Sequence, residues 1–191
     1  MQIQATQKSE ELQRVFFGKR FIGASLARTG FNLKASERIS GWLAKPKNFL
    51  VVIGTAGVGK TYLCSALLAE LHDKVSSIRA YDERKFLRLI RLSIGSSSNG
   101  DYLHYMQTLI DDDIIILDDI GSSGHTDWRE EVLTDAIDYR YEEMSPTIIT
   151  SNLSKKEFYD VYGQRISSRL FATENTIIDL FNMHDLRQEG K

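Results

Sequence analysis

The chain has 191 residues, a formal net charge of −2, 42% hydrophobic and 26% charged residues. That length suits one domain with a sizeable core, and the near-neutral balance argues against nucleic-acid binding over the whole surface while allowing a local basic patch. A single cysteine excludes an internal disulfide framework, the four histidines show no metal-ligand spacing, and no apolar run approaches the roughly 18 residues of a membrane span.

The polar start MQIQATQKSEELQR lacks the apolar core of a signal peptide, so a cytoplasmic protein with no membrane contact is expected. Leu12, Val15 and Phe16 give this start the spacing of one short amphipathic helix. Pro46 leads into the first apolar, β-rich run, Phe49–Ile53, and a helix over 62–71 follows on the spacing of Leu63, Leu67 and Leu71. Cys64 falls in that helix, where a buried, inert thiol is expected rather than a redox group. A strand over 75–81, helices over 83–94 and 101–110 with a loop over 96–100 between them, and a strand over 114–117 come next. Gly121-Ser122-Ser123-Gly124 reads as a loop; Pro146 leads into a fourth strand, Thr147–Ser151, and a fifth covers 176–180. Strands alternating with helices predict a parallel sheet covered on both faces, and the unbroken run Ile114-Ile115-Ile116-Leu117 predicts strands buried on both sides.

Between the first run and its helix lies Gly54-Thr55-Ala56-Gly57-Val58-Gly59-Lys60-Thr61, a G-x-x-x-x-G-K-[ST] phosphate-binding loop. Successive backbone N–H groups of such a loop form a concave nest at a helix N-terminus, where phosphate oxygens are stabilised. Gly57 and Gly59 permit positive φ and close approach, Lys60 reaches the β- and γ-phosphates, and Thr61 ligates Mg²⁺; Gly54 through Tyr62 form the candidate nucleotide-binding set. Asp118-Asp119 ends the third strand. Asp118 is the candidate Mg²⁺ carboxylate, and Asp119 stands where it would orient or deprotonate an attacking water, although two solvated acids capping a strand is the plainer reading of the pair alone. Asn152, at the tip of the fourth strand, reads either as a γ-phosphate or water contact or as a loop-initiating Asn. Arg165 and Arg169 lie four apart on one helical face; their planar guanidinium groups suit phosphate, and a solvated face is the alternative.

Taken together, GTAGVGKT, IIILDDIG, Asp138-Tyr139-Arg140-Tyr141 with PTIITSNL, and GQRISSRL resemble the AAA+ ATPases of the DnaC/IstB branch, the helicase loaders and transposition helper ATPases, over nearly the whole chain. The resemblance implies an α/β P-loop NTPase of the ASCE/AAA+ kind. Its parallel five-stranded sheet would have the order 5-1-4-3-2, helices on both faces and a small or absent helical lid. It implies ATP and Mg²⁺ as ligands, Lys60 and Thr61 as the Walker A pair, Asp118-Asp119 as the Walker B pair and Asn152 as sensor 1. Arg169 would be an arginine finger entering a neighbouring subunit's site, with Arg165 its companion, within an ATP-dependent homo-oligomer. Arg187 would contact phosphate from its own subunit, and Phe17-Gly18-Lys19-Arg20-Phe21-Ile22 would border the adenine. The partner implied is a replicative helicase, or a transposase for a helper ATPase.

The resemblance divides the chain into a short N-terminal helical extension, residues 1–16, and an ATPase domain, residues 17–191. A full helicase-gripping module is therefore expected to be missing or compressed into that first helix. Many AAA+ proteins carry Asp-Glu where this chain has Asp118-Asp119, so hydrolysis is expected to be slow. Arg84, Lys85, Arg88 and Arg91 form a basic cluster after the second strand, with Phe86, Leu87 and Ile90 turned to the core. In the resembling family this region contacts single-stranded DNA; here it reads as backbone contacts or as a solvated face offset by Asp82 and Glu83. Besides the helper-ATPase reading, a nucleotide-gated binding module with little hydrolysis and a small-molecule phosphotransferase remain open.

Overall fold

A computed structural model of the chain describes residues 2–96, 111–122, 124 and 126–186. The expected helix over 101–110, residues 97–100 of the loop before it, Ser123 and Arg187 lie outside the described residues. Five apolar runs form one sheet: β1 (Phe49–Ile53), β2 (Ile78–Asp82), β3 (Ile114–Ile120), β4 (Thr147–Ser151) and β5 (Thr176–Asp179). Every pairing is parallel, in the order β2-β3-β4-β1-β5, which is the expected 5-1-4-3-2 taken from the other edge. The helices are α1 (Gln2–Phe17), α2 (Leu33–Ala44), α3 (Lys60–Leu71), α4 (Glu83–Ser96), α5 (Asp127–Glu142) and α6 (Lys155–Leu170), with two 3₁₀ turns at Lys19–Phe21 and Leu26–Arg28.

Residues of a strand point alternately to opposite faces, and β1 displays the consequence, since all five of its residues are buried. Phe49, Val51 and Ile53 join a core with Phe86 and Ile90 of α4, Leu133 and Ile137 of α5, and Phe158 and Ile166 of α6. Leu50 and Val52 join a second core with Ile39 and Trp42 of α2 and Leu63 and Leu67 of α3, against which Leu12 and Phe16 of α1 pack. Val15 is exposed instead, and α1 is fixed by Gln13, whose amide donates to Ala24 O at 3.0 Å and Ser65 O at 3.1 Å. Ser154 and Glu157 form a reciprocal capping box at the start of α6, an arrangement worth about 1 kcal/mol.

The start of β2 and the end of β3 depart furthest from the sequence expectation, for visible reasons. β2 begins at Ile78, not 75, because Ser76 and Ser77 donate their N–H groups to Asp113 Oδ2 at 2.7 and 3.1 Å, which takes them out of the ladder. β3 continues beyond 117 through the acid pair, with a register shift between Leu117 and Ile120 and Asp119 at φ 59°. Such a bulge re-aims side chains at a strand end. In α6 the backbone at Gly163 leaves the helix, with φ 70° and ψ −175°.

Two buried arginines tie the layers together. At the N-terminal ends of the central strands, Arg140 Nε donates to Thr147 Oγ1 at 2.9 Å and its outer nitrogens to Asp112 O and Pro146 O, both at 2.6 Å. Burial brings this guanidinium down to about 10, with the Asp112 charge opposing the shift. At the other end, Arg129 Nε donates to Glu83 Oε1 at 2.7 Å, Arg129 Nη1 to Gly124 O at 2.5 Å, and Gly121 N to Glu83 Oε2 at 3.2 Å. Tyr162 Oη donates to Glu83 Oε1 at 3.1 Å, so the first residue of α4, the loop after β3, α5 and α6 meet at one carboxylate. Removing one member of such a pair strands a buried charge, so Arg129→Met should lower the unfolding free energy by about 3–5 kcal/mol, read from urea denaturation.

Candidate nucleotide-binding site

The C-terminal ends of β1, β3 and β4 surround a cavity of about 890 Å³, the position where open parallel sheets bind ligands. The phosphate loop follows β1, and α3 starts at Lys60, two residues earlier than its hydrophobic spacing predicts. Gly59, which caps α3, takes φ 94° and ψ 17°, a left-handed conformation suited to glycine. Ala56, Gly57, Gly59, Lys60, Thr61 and Tyr62 line the cavity. Of the other predicted loop residues, Val58 turns its side chain into the second core and Gly54 packs against Leu180. Thr55 meets Lys60 through its carbonyl, and Gly54 and Val58 have only backbone to offer.

Lys60 Nζ donates to Gly54 O at 2.6 Å, Thr55 O at 2.7 Å and Asn152 Oδ1 at 2.7 Å. Asn152 in turn donates through Nδ2 to Asp119 Oδ1 at 2.7 Å. Thr61 Oγ1 donates to Asp118 Oδ2 at 2.8 Å, while Thr150 Oγ1 donates to Asp118 Oδ1 at 2.5 Å and accepts the Asp119 N–H at 2.9 Å. Cys64 Sγ lies 3.7 Å from the same Asp118 oxygen, and burial pushes its thiol well above the usual value, in keeping with an inert role. Burial also raises the Asp118 carboxyl; hydrogen bonds from Thr150 and Thr61 pull it back, and the Asp119 charge adds to the rise. A divalent cation would offset that buried charge. One carboxylate and one hydroxyl, both oxygen donors, fit Mg²⁺, which takes its remaining ligands from phosphate and water.

Arg20 and Phe21 of the predicted adenine border line the cavity, and so do Arg28 and Thr29, which carry no sequence signal. Thr150 also escaped the sequence reading, although it lies two residues from Asn152, on the same side of β4, a spacing that would have pointed to it. Arg84, Lys85 and Arg88 reach the same cavity, whereas Arg91 sits over the Trp128 ring with 4.6 Å to its centroid. Phe86, Leu87 and Ile90 are buried as expected, but Glu83 is buried on Arg129 and does not offset surface charge. Asp82 accepts the Lys85 N–H at 2.8 Å, capping α4. Arg165 and Arg169 are not brought to the cavity; both pair with Asp138 of α5, Arg165 at 2.5 Å. Among the described residues no cluster of His, Cys, Asp or Glu could by itself hold a metal, and no helix is long and apolar enough to cross a membrane.

The phosphate loop, the acid pair on a neighbouring strand tip and the sheet order define a P-loop NTPase of the AAA+ class. Residues 34–172 match the family model for IstB-like ATP binding protein, and the chain belongs to that family, on the DnaC/IstB branch of the AAA+ proteins. It is 31% identical over 119 residues to the replicative helicase loader DnaI of Bacillus subtilis (strain 168), a match covering 61% of this chain and 37% of that relative. Its fold is similar to the crystal structure of the DnaC helicase loader, with a TM-score of 0.71 and 24% identity over 84% of this chain and 99% of that one. It is also similar to the crystal structure of DnaI, with a TM-score of 0.66 and 25% identity over 84% and 93% of the two chains. The chain therefore spans little more than a third of the DnaI relative's own length.

Thr150 holds an acidic side chain and a strand-end N–H with one hydroxyl. Thr150→Val keeps the shape and leaves both groups short of a partner, so stability should fall by about 1–3 kcal/mol in chemical denaturation.

Proposed function

We propose that the protein is a cytoplasmic AAA+ ATPase of the helicase-loader type, acting in DNA replication, whose ATP site is completed by a neighbouring copy of the chain. The observation that carries this reading is the line Lys60–Asn152–Asp119 beside the Thr61–Asp118 pair, all on the rim of one cavity. In this reading Lys60 exchanges its loop carbonyls for β- and γ-phosphate oxygens of ATP. Thr61 and Asp118 hold Mg²⁺, which when bound neutralises charge on those phosphates. Asn152 and Asp119 orient a water for in-line attack on the γ-phosphorus; the bond to the β,γ-bridging oxygen breaks, ADP leaves, and Asp119 takes the water's proton. Arg169, with Arg165, stabilises the transferring phosphoryl group from the adjacent subunit, and Arg187 contacts phosphate within its own subunit. The role in replication is supported by the family and by the helicase loader DnaI among its relatives. A replicative helicase is the proposed partner.

Arg84, Lys85 and Arg88, exposed and at the mouth of the nucleotide cavity, are proposed to contact the backbone of single-stranded DNA, with Arg91 further along the same helix. Contacts so close to the acid pair would let DNA and nucleotide influence one another.

Lys60→Ala should abolish binding of a fluorescent ATP analogue. Arg169→Ala should bind it normally yet lose turnover by roughly 10³-fold, the lower end of an arginine finger's worth. Wild-type turnover by isolated Arg169→Ala, or no turnover by the wild type even with DNA and helicase, would sink this reading. For DNA, removing Arg84 or Arg88 should each reduce the slope of log affinity against log salt by about 0.7, measured by fluorescence anisotropy. An affinity indifferent to salt would rule out the backbone contacts.

A further inference from the structure

Asp138, on α5, is 6% exposed. Its two oxygens are taken one each by two arginines of α6: Arg169 Nε on Oδ1 and Arg165 Nη2 on Oδ2 at 2.5 Å. Neither oxygen has a further hydrogen-bond donor among the described residues, so these guanidinium groups compensate the buried charge. Arg169 is restrained at two more points. Its Nη1 donates to Arg165 O at 3.2 Å, and its Cζ lies 5.9 Å from the centroid of the Tyr141 ring, itself fixed by a 2.5 Å hydrogen bond to Glu174. The Arg165 side chain remains 66% exposed. One carboxylate needs one guanidinium for neutrality. Here it fixes two, at i and i+4 on one helix, and neither lines this chain's own cavity.

We propose that Asp138 is a positioning residue, which holds Arg169 and Arg165 in the geometry from which they enter the ATP site of a second copy of this chain. The face built by α5 and α6 around Asp138 is then the donor side of the subunit interface, and its ligand is the triphosphate bound by the neighbour. This inference rests on the shared-site reading above and adds the residue that makes the donor side rigid. Asp138 touches no nucleotide itself; it acts through the two arginines.

Mixing subunits tests it. Lys60→Ala, Arg169→Ala and Asp138→Asn proteins are assayed for ATP turnover singly and in equimolar pairs. Asp138→Asn alone should bind the fluorescent ATP analogue as the wild type does and turn over roughly a hundredfold more slowly, the usual cost of a catalytic group misplaced by about an ångström. Lys60→Ala subunits cannot use ATP but carry intact arginines, so they should restore turnover to both Arg169→Ala and Asp138→Asn. Arg169→Ala and Asp138→Asn mixed together should stay inactive, since both lack a working donor. Rescue of Arg169→Ala without rescue of Asp138→Asn, or full turnover by Asp138→Asn alone, overturns the positioning role and leaves the shared site standing. Failure to rescue Arg169→Ala overturns the shared site itself. Should Asp138→Asn not fold, Asp138→Glu carries the same test: the longer acid displaces both arginines, and the same slow turnover and the same rescue by Lys60→Ala are required.

Discussion

One side-chain amide, that of Asn152, spans the distance between the phosphate-loop lysine and the second acid of β3. It can do so because β4 lies between β1 and β3 in the sheet. Were β1 and β3 direct neighbours, loop and acid pair would adjoin and no third strand tip would stand between them. With β4 inserted, a polar residue at its end touches both. The same strand supplies Thr150, which fixes Asp118 and the Asp119 backbone together. The sheet order thus decides which side chains meet, and the geometry of the candidate site descends from it.

The centre of the site was legible in the sequence because its signals are local. A glycine-rich loop announces itself within eight residues, and an apolar run ending in two acids does so within six. Asn152 could be named from its strand, but its link to both neighbours could not, since that depends on long-range strand order. The opposite wall of the cavity was less legible. Arg28 ends a short 3₁₀ turn with no hydrophobic period and Thr29 caps it, and their approach to the loop comes from packing. The start of β2 was misplaced because apolar content alone does not reveal that Asp113, far along the chain, claims the N–H groups of Ser76 and Ser77. For Arg84 and its neighbours the helical face was readable, whereas the burial of Glu83 depends on Arg129, reached only through the tertiary fold.

Buried charges divide their work between the two ends of the sheet. Arg140 satisfies carbonyls at the ends of strands away from the cavity, a structural task. Glu83 and Arg129 sit near the cavity and join elements that each carry something different: the basic residues of α4, the loop after the acid pair, and the helix bearing Arg165 and Arg169. Ion pairs of this kind contribute little net stability over apolar packing, yet breaking one is costly. Their value here lies in fixing several groups relative to one another. A change at the acid pair has a direct mechanical route to α4 and α6 through the Gly121 N–H and one carboxylate.

The break at Gly163 gives α6 a second property. Before it, Phe158 and Tyr162 bury themselves in the core; after it come the two arginines, on the helix turns that bury Ile166 and Leu170. A φ of 70° with ψ near −175° is open to glycine and nearly closed to other residues. Nothing crowds the position where a side chain would project, so conformation rather than space demands glycine there. A continuous helix would couple the azimuth of the arginines to that of Phe158 through a fixed 100° per residue. The interruption removes that gearing, so the arginines take their azimuth from the burial of Ile166 and Leu170 in their own half of the helix rather than from Phe158.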